Sequence, residues 1–368
     1  MAMLTRGSPR AAYFYEMPDT STFRYRVYNV CQTLAAEPRL GASASWFHTG
    51  DLNKIDQVLD RCDVLVICRT RYTDKIARMV SLARARRRRI LFDVDDLIFD
   101  LASAHIVMDT LGVDFEESEA WDTWFALVGR IGATMRLCDG AIVSNAYLAS
   151  RAEAFLGAPA RIIPNYLNRE QMELSETIWR EKERCGWERD DCVHLGYFSG
   201  TPTHNRDFAL IAAPLARLMD EDERVRLRIV GFLSDFGPDL ARHRDRIETL
   251  PLQDFLNLQR EIGAVEVNLV PLQDNVFTNC KSELKWFEAA IVGTATVAAP
   301  TRPYRDAIAS GLNGWLAPVY AWEDVLRTVI HEGEDTWREV ASRARADAES
   351  RHGWQRQGEA IRAALFGP

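Results

Sequence analysis

Lys281, Lys285 and Glu288 stand in the segment FTNCKSELKWFEAAIVGTATVAAP, residues 277–300. On a helix running from Lys281 to Val292, they fall within about 60° of one another, beside an apolar stripe of Leu284, Phe287 and Ile291. Two lysines in the opening turns of a helix oppose the positive end of its macrodipole, a cost that a bound anion would reverse. Backbone N–H groups and ammoniums would then converge on a phosphate. The plainer alternative is a solvated Lys285–Glu288 pair on a helix surface. The apolar strand GTATVAAP that follows favours a buried position in a cleft.

A second segment, GYFSGTPTHNRDF at 196–208, reads as a strand entering a glycine turn that opens a helix near Asp207. Gly200 permits close backbone approach, and Ser199, Thr201, His204 and Arg206 supply donors at the helix head. Alternatively, Asn205 or Asp207 caps the helix and the rest is loop. The segment matches neither a Walker P-loop nor GxGxxG, so ATPase and standard dinucleotide readings lose support. In FDVDDLIFD, 92–100, Asp93 and Asp95 share one side of a strand end and Asp96 follows. These carboxylates could bind a divalent cation, accept hydrogen bonds from sugar hydroxyls, or cap the next helix. Arg24 and Arg26 lie near a helix start in TSTFRYRVYN, where a cation again suggests phosphate or acceptor contact, or else exposure with screening. The run RARRRR at 84–89 suits a helix C-terminus, with attraction to anionic headgroups as the alternative.

The elements that must position these residues alternate. Apolar β-rich runs occur at 11–15, 63–69, 89–95, 140–144 and 160–165, and again at 193–200, 224–231, 265–272, 294–300 and 314–318. Helical stretches at 22–36, 74–87, 116–137, 207–219, 254–263, 281–293, 304–310 and 321–332 separate them. Such alternation means parallel sheets with helical crossovers, and continuous apolar strands mean burial on both faces. A length of 368 residues suits two domains. The polar stretch ETIWREKERCGWERDD marks the seam. The expected division is an N-terminal domain at 1–170, a linker at 171–190, a C-terminal domain at 191–349 and a final helix at 350–368. Two such units facing each other create a cleft at the carboxyl ends of their strands, where ligands bind.

A net charge of −8 argues against a dedicated nucleic-acid binder. No apolar run approaches the roughly 20 residues of a membrane span, and the N-terminal residues lack the apolar core of a signal peptide. Seven scattered cysteines, never spaced CxxC, fit reduced thiols and no structural zinc. The expectation is a cytoplasmic protein.

Taken together, SGTPTHNRDF at 199–208, VPLQDNVFTNCKSELKWFEAAIVGTATVAAP at 270–300, YRDAIASGLNGWLA at 304–317, IIPN at 162–165 and FDVDD at 92–96 resemble the retaining GT-B glycosyltransferases of glycosyltransferase family 4, especially those of bacterial surface polysaccharide synthesis. The resemblance covers nearly the whole chain. It implies an α/β fold of two Rossmann-like parallel-sheet domains facing a central cleft, with the final helix folded back onto the N-terminal domain. Glu288 matches the family glutamate that binds the nucleotide ribose. The first glutamate of the family's pair falls on Cys280, so the usual donor-sugar contact is missing, with Asn279 or Glu283 as substitutes or a donor sugar without the usual hydroxyl partner, such as a deoxysugar, as the alternative. Lys281 and Lys285, with Arg206, then become the diphosphate clamp, and Ser282 lies in the same donor segment. The acceptor side falls near Arg24, Arg26, Asp95 and Asp96.

The implied reaction moves a hexosyl or deoxyhexosyl group from a nucleoside-diphosphate sugar to a hydroxyl of a glycan or lipid-linked glycan. It requires no cofactor and no metal. Arg86 to Arg89 suggest peripheral contact with an anionic inner-membrane face. Two rivals share the architecture: a sugar-nucleotide epimerase or hydrolase, which releases nucleotide without an acceptor, and a binding subunit without activity, motivated by Cys280.

Overall fold

The computed structural model describes residues 1–114, 116–187, 190–200, 205–233 and 236–367. Strands β1 (Arg10–Tyr15), β2 (Ser43–Phe47), β3 (Val64–Cys68), β4 (Arg89–Val94), β5 (Gly140–Val143) and β6 (Ala160–Ile162) form one sheet in the order 2-1-3-4-5-6. A second sheet holds β7 (Val193–Ser199), β8 (Val225–Gly231), β9 (Ile247–Leu250), β10 (Val267–Val270), β11 (Ala295–Ala298) and β12 (Trp315–Leu316) in the order 12-11-10-7-8-9. All pairings within both sheets are parallel. The fold is α/β with two doubly wound domains. Every residue of β3, β5, β10 and β11 is buried, as continuous apolar runs covered by helices on both faces must be.

The two strands that the apolar pattern misses, β2 and β9, lie at sheet edges. β2 has the sequence SASWF, and β9 (IETL) is only partly buried, so neither carries a continuous apolar run. The stretch expected as the linker, 171–190, is largely helical. Residues 169–185 form the helix Arg169–Cys185, opened by a capping box between Asn168 and Gln171. Its stripe Gln171, Ser175, Trp179 and Lys182 is buried. Lys182 Nζ donates to the carbonyls of Val265 (3.0 Å) and Gly293 (2.9 Å) and to Thr294 Oγ1. Overall polarity concealed that stripe.

The long helix expected over 281–293 is broken. Val276–Asn279 is one turn, capped by Asn275, and the next helix runs Leu284–Ile291. Lys281 therefore precedes the helix, and Lys285 is its second residue. The chain ends in a helix Trp322–His352, kinked at Gly333, and a helix Gly358–Phe366. The last of these buries Ile361, Ala364 and Leu365 among Leu34, Val64, Leu91 and Ile163 of the first domain. Among the described residues, no helix is long and apolar enough to cross a membrane.

The two cores exchange side chains. Tyr25, just after β1, belongs to the apolar cluster of the second domain, whereas Phe277 and Cys280, just after β10, belong to a cluster of the first. Each sheet also has a point where the chain reverses its winding, between β1 and β3 in the first and between β7 and β10 in the second. Ligands bind in doubly wound sheets outside the strand ends at such points.

Candidate active site

A cleft of about 580 Å³ opens between those two switch points. The first domain supplies Thr20, Ser21, Thr22, Arg24 and Tyr25 after β1, Arg69 after β3, and Asp95 and Asp96 after β4. The second supplies Ser199 and Gly200 after β7, Leu272 after β10, and Lys281, Ser282, Lys285 and Glu288. Ile98, Leu111, Trp124 and Leu127 add an apolar wall.

Lys285 and Glu288 stand one turn apart on Leu284–Ile291 and face the same space. Burial lowers the Lys285 ammonium to about 8, against the opposing pull of Asp207 and Glu288 and with the repulsion of Lys281. Its amine lies 5.4 Å from the centre of the Tyr197 ring. Burial likewise raises the Glu288 carboxyl, opposed by Arg24, by the hydrogen bond from Tyr25 Oη and by Lys285. Lys281 sits in the turn before the helix. Its Nζ is 3.5 Å from Asp96 Oδ2 and 4.3 Å from the Phe277 ring centre. Asn145 Nδ2 fixes that turn by donating to the carbonyls of Cys280 (3.0 Å) and Lys281 (3.2 Å). Ser282 Oγ accepts from Asn165 Nδ2 at 2.9 Å.

On the opposite wall, Arg69 Nη1 donates to Asp95 Oδ1 (3.3 Å) and to Thr22 Oγ1 (3.1 Å). Arg69, the residue that follows β3, has φ +43°, a left-handed conformation uncommon outside glycine. Strain of this kind concentrates at functional sites. No motif marked this residue. The available signal was a lone arginine closing an otherwise apolar strand, DVLVICR.

No family model and no curated protein matches this chain. Solved structures do match. HepE of Anabaena, in a complex with UDP and glucose, is 14% identical with a TM-score of 0.62, covering 95% of this chain and 97% of that one. Sucrose-phosphate synthase of Thermosynechococcus elongatus is 14% identical at a TM-score of 0.61, covering 96% of each chain. A glycosyltransferase of Rickettsia africae is 10% identical at 0.61, covering 96% and 95%. The fold is GT-B.

Within that GT-B frame several expected residues lie elsewhere. Arg26 is fully buried, not cleft-facing. Its Nε donates to Asp93 Oδ1 at 2.7 Å, its Nη2 to Asp93 Oδ2 at 3.3 Å, and its Nη1 to Ile163 O and Asn165 Oδ1. Burial raises the Asp93 carboxyl to about 6 despite that partner. Asp93 thus serves the interior, and only Asp95 and Asp96 reach the cleft. Arg206 turns to the other domain, where Asp109 accepts from it through both its carboxylate and its carbonyl, the latter at 2.7 Å. It lies outside the cleft lining.

Asn279 is also outside the lining. Its amide donates to Asp274 and to the Asn275 carbonyl, and its Oδ1 accepts from Arg302 N at 2.6 Å, at the start of the helix Arg302–Ala307. Cys280 is buried in the first domain's core, and burial pushes its thiol up to about 12. Glu283 Oε1 faces His352 Nε2 at 3.4 Å. Neither Asn279 nor Glu283, the expected substitutes for the missing glutamate, lines the cleft. Gly200 is exposed, and a Cβ there would meet nothing within 4 Å, so the surrounding fold does not itself demand glycine. Thr201 and His204 lie outside the described residues.

The basic run is largely committed to the protein. Arg86 pairs with Asp56 and Asp60, Arg88 donates to the carbonyls of Leu59 and Asp60, and Arg89 donates to the Gly367 carbonyl. Arg87 is exposed. The run does not form a patch of four unengaged cations. Among the described residues, no three His, Cys, Asp or Glu side chains group in a way that could hold a metal ion.

Proposed function

We propose that this chain is a glycosyltransferase that moves a sugar from a nucleoside-diphosphate sugar to a hydroxyl of a glycan or lipid-linked glycan, with retention of configuration. The observation that carries this reading is the placement of half-buried Lys285 one helical turn from buried Glu288 in one cleft at two sheet switch points. Glu288 suits the two ribose hydroxyls. Lys285 and Lys281 suit the diphosphate, and Lys285, whose charge is penalised by desolvation, gains from an anion part of what it loses.

In the reaction the anomeric C–O bond breaks and its electron pair passes to the departing diphosphate. The acceptor oxygen bonds to the same carbon, and its proton passes to a phosphate oxygen on the same face. Charge grows on the leaving group, so the lysines act most strongly in the transition state. Asp95 and Asp96, with Arg69, offer hydrogen-bonding partners to acceptor hydroxyls. Each of the three carboxylates from 93 to 96 already faces a cation, namely Arg26, Arg69 and Lys281 respectively. This supports charge stabilisation by side chains in place of a divalent ion. HepE was crystallised with UDP and glucose, which makes UDP-sugars the first donors to try.

A thermal-shift screen against UDP, GDP, dTDP and their sugars is expected to raise the melting temperature with one base, since a ligand that binds only the folded state stabilises it. Transfer with that donor is expected to persist in EDTA. Release of free sugar with no acceptor consumed would identify a hydrolase. Binding without turnover on any acceptor glycan would identify a binding subunit.

A further inference from the structure

Arg24 follows β1 and belongs by sequence to the first domain, but its contacts cross the cleft. Its guanidinium carbon lies 4.7 Å from the ring centre of Phe255, which opens the helix Phe255–Gly263 of the second domain. The Tyr25 ring centre is 4.8 Å away. A cation near a ring centre is held by the ring's quadrupole and not by conventional hydrogen bonds, so these contacts alone do not satisfy its N–H donors. Nε of Arg24 is buried and has no hydrogen-bond partner among the described residues. A buried donor in that state has lost water without replacement, a deficit that an incoming oxygen would repair. Glu288 is a neighbour, and of the charges that oppose its burial Arg24 is the strongest, yet the hydrogen bond that Glu288 accepts comes from Tyr25.

We propose that Arg24 is a donor-side residue, which reaches across the cleft to hydrogen-bond an oxygen of the same nucleotide that Glu288 holds. This rests on Glu288 marking the nucleotide site. It moves Arg24 from the acceptor side, where its place in the sequence put it, to the donor side. The oxygen belongs to the nucleoside or to the diphosphate, and both offer the acceptor that a guanidinium edge requires. Because Arg24 also rests on Phe255, the nucleotide would be touched by both domains at once, and its binding would favour their closed arrangement.

The test is calorimetric titration of wild type, Arg24→Ala and Arg24→Lys with UDP and UMP, with GDP and GMP or dTDP and dTMP in their place if the wild-type screen selects another base. Melting curves and donor and acceptor KM values accompany it. Arg24→Ala is expected to bind the diphosphate about tenfold more weakly or worse, with the acceptor KM unchanged. Arg24→Lys keeps a cation over Phe255 and is expected to melt like wild type, yet to recover only part of the affinity, because an ammonium lacks the planar fork. An equal loss on mono- and diphosphate assigns the partner to the nucleoside or α-phosphate, and a loss confined to the diphosphate assigns it to the β-phosphate. If wild type binds a nucleotide and both variants bind it equally well, or if only the acceptor KM changes, the inference is overturned. If wild type binds none of the nucleotides, the nucleotide reading of Glu288 fails first and the inference falls with it.

Discussion

Lys285 is a cation held where a cation is costly. Burial brings its ammonium down to about 8, with Asp207, Glu288 and Lys281 as the charges around it. Below that pH the group is charged and would hold a diphosphate, and above it the amine is neutral and the hold is lost. Nucleotide affinity is therefore expected to fall as pH rises through about 8. A bound anion favours the protonated amine, so binding at pH 8 is expected to take up as much as about half a proton. Calorimetry in buffers of differing ionisation enthalpy measures this, and zero uptake with a flat pH profile would remove Lys285 from the phosphate. At the same residue, Lys285→Ala is expected to fold normally, keep part of its nucleotide affinity and lose roughly 100-fold or more in transfer rate. Near-normal turnover in both this variant and Lys281→Ala would leave the clamp unsupported.

At the scale of elements, the pair Arg26–Asp93 ties the segment after β1 to the end of β4, and through Ile163 and Asn165 to the stretch after β6. Asn165 then passes the connection to Ser282 in the cleft. Asp93→Asn keeps the shape but leaves the guanidinium without its counter-charge. Breaking one half of a buried pair costs roughly 3–5 kcal/mol, so the urea midpoint is expected to drop by a corresponding amount. A loss below about 1 kcal/mol would mean that water reaches Arg26 and that the pair is not the fastening described. The exposed pair Arg206–Asp109 contrasts with this one. Both side chains are about half exposed, at 46% and 58%, and salt screens them, so it contributes little to holding the domains.

The whole molecule is joined by reciprocal insertion. Tyr25 enters the second domain's core, while Phe277 and Cys280 enter the first's. The final helix returns to the first domain after the helix Trp322–His352 has crossed the second. Neither core is complete without side chains from the other half. Calorimetric unfolding is accordingly expected to show one transition, with matching calorimetric and van't Hoff enthalpies. Phe277→Ala is expected to destabilise that single transition by about 3–5 kcal/mol, although the residue belongs by sequence to the second domain. Two resolved transitions in wild type would show that the halves unfold independently.

The alternation of strands and helices was readable from the sequence, because a strand covered on both faces must be apolar throughout, and that requirement is local. The alignment of Lys285 with Glu288 was readable for the same reason, since residues three apart share a helix face whatever surrounds them. The break at Cys280–Glu283 was not readable: Asn145, Asn165 and the first domain's core hold that turn, and they are distant in sequence. Arg24 and Arg26 are two residues apart with the same chemistry, yet one faces Phe255 across the cleft and the other is locked onto Asp93 inside. Charge and spacing limit what a side chain can do. Which partner it meets depends on how the two sheets approach each other, and that arrangement is set by packing between segments far apart in the chain.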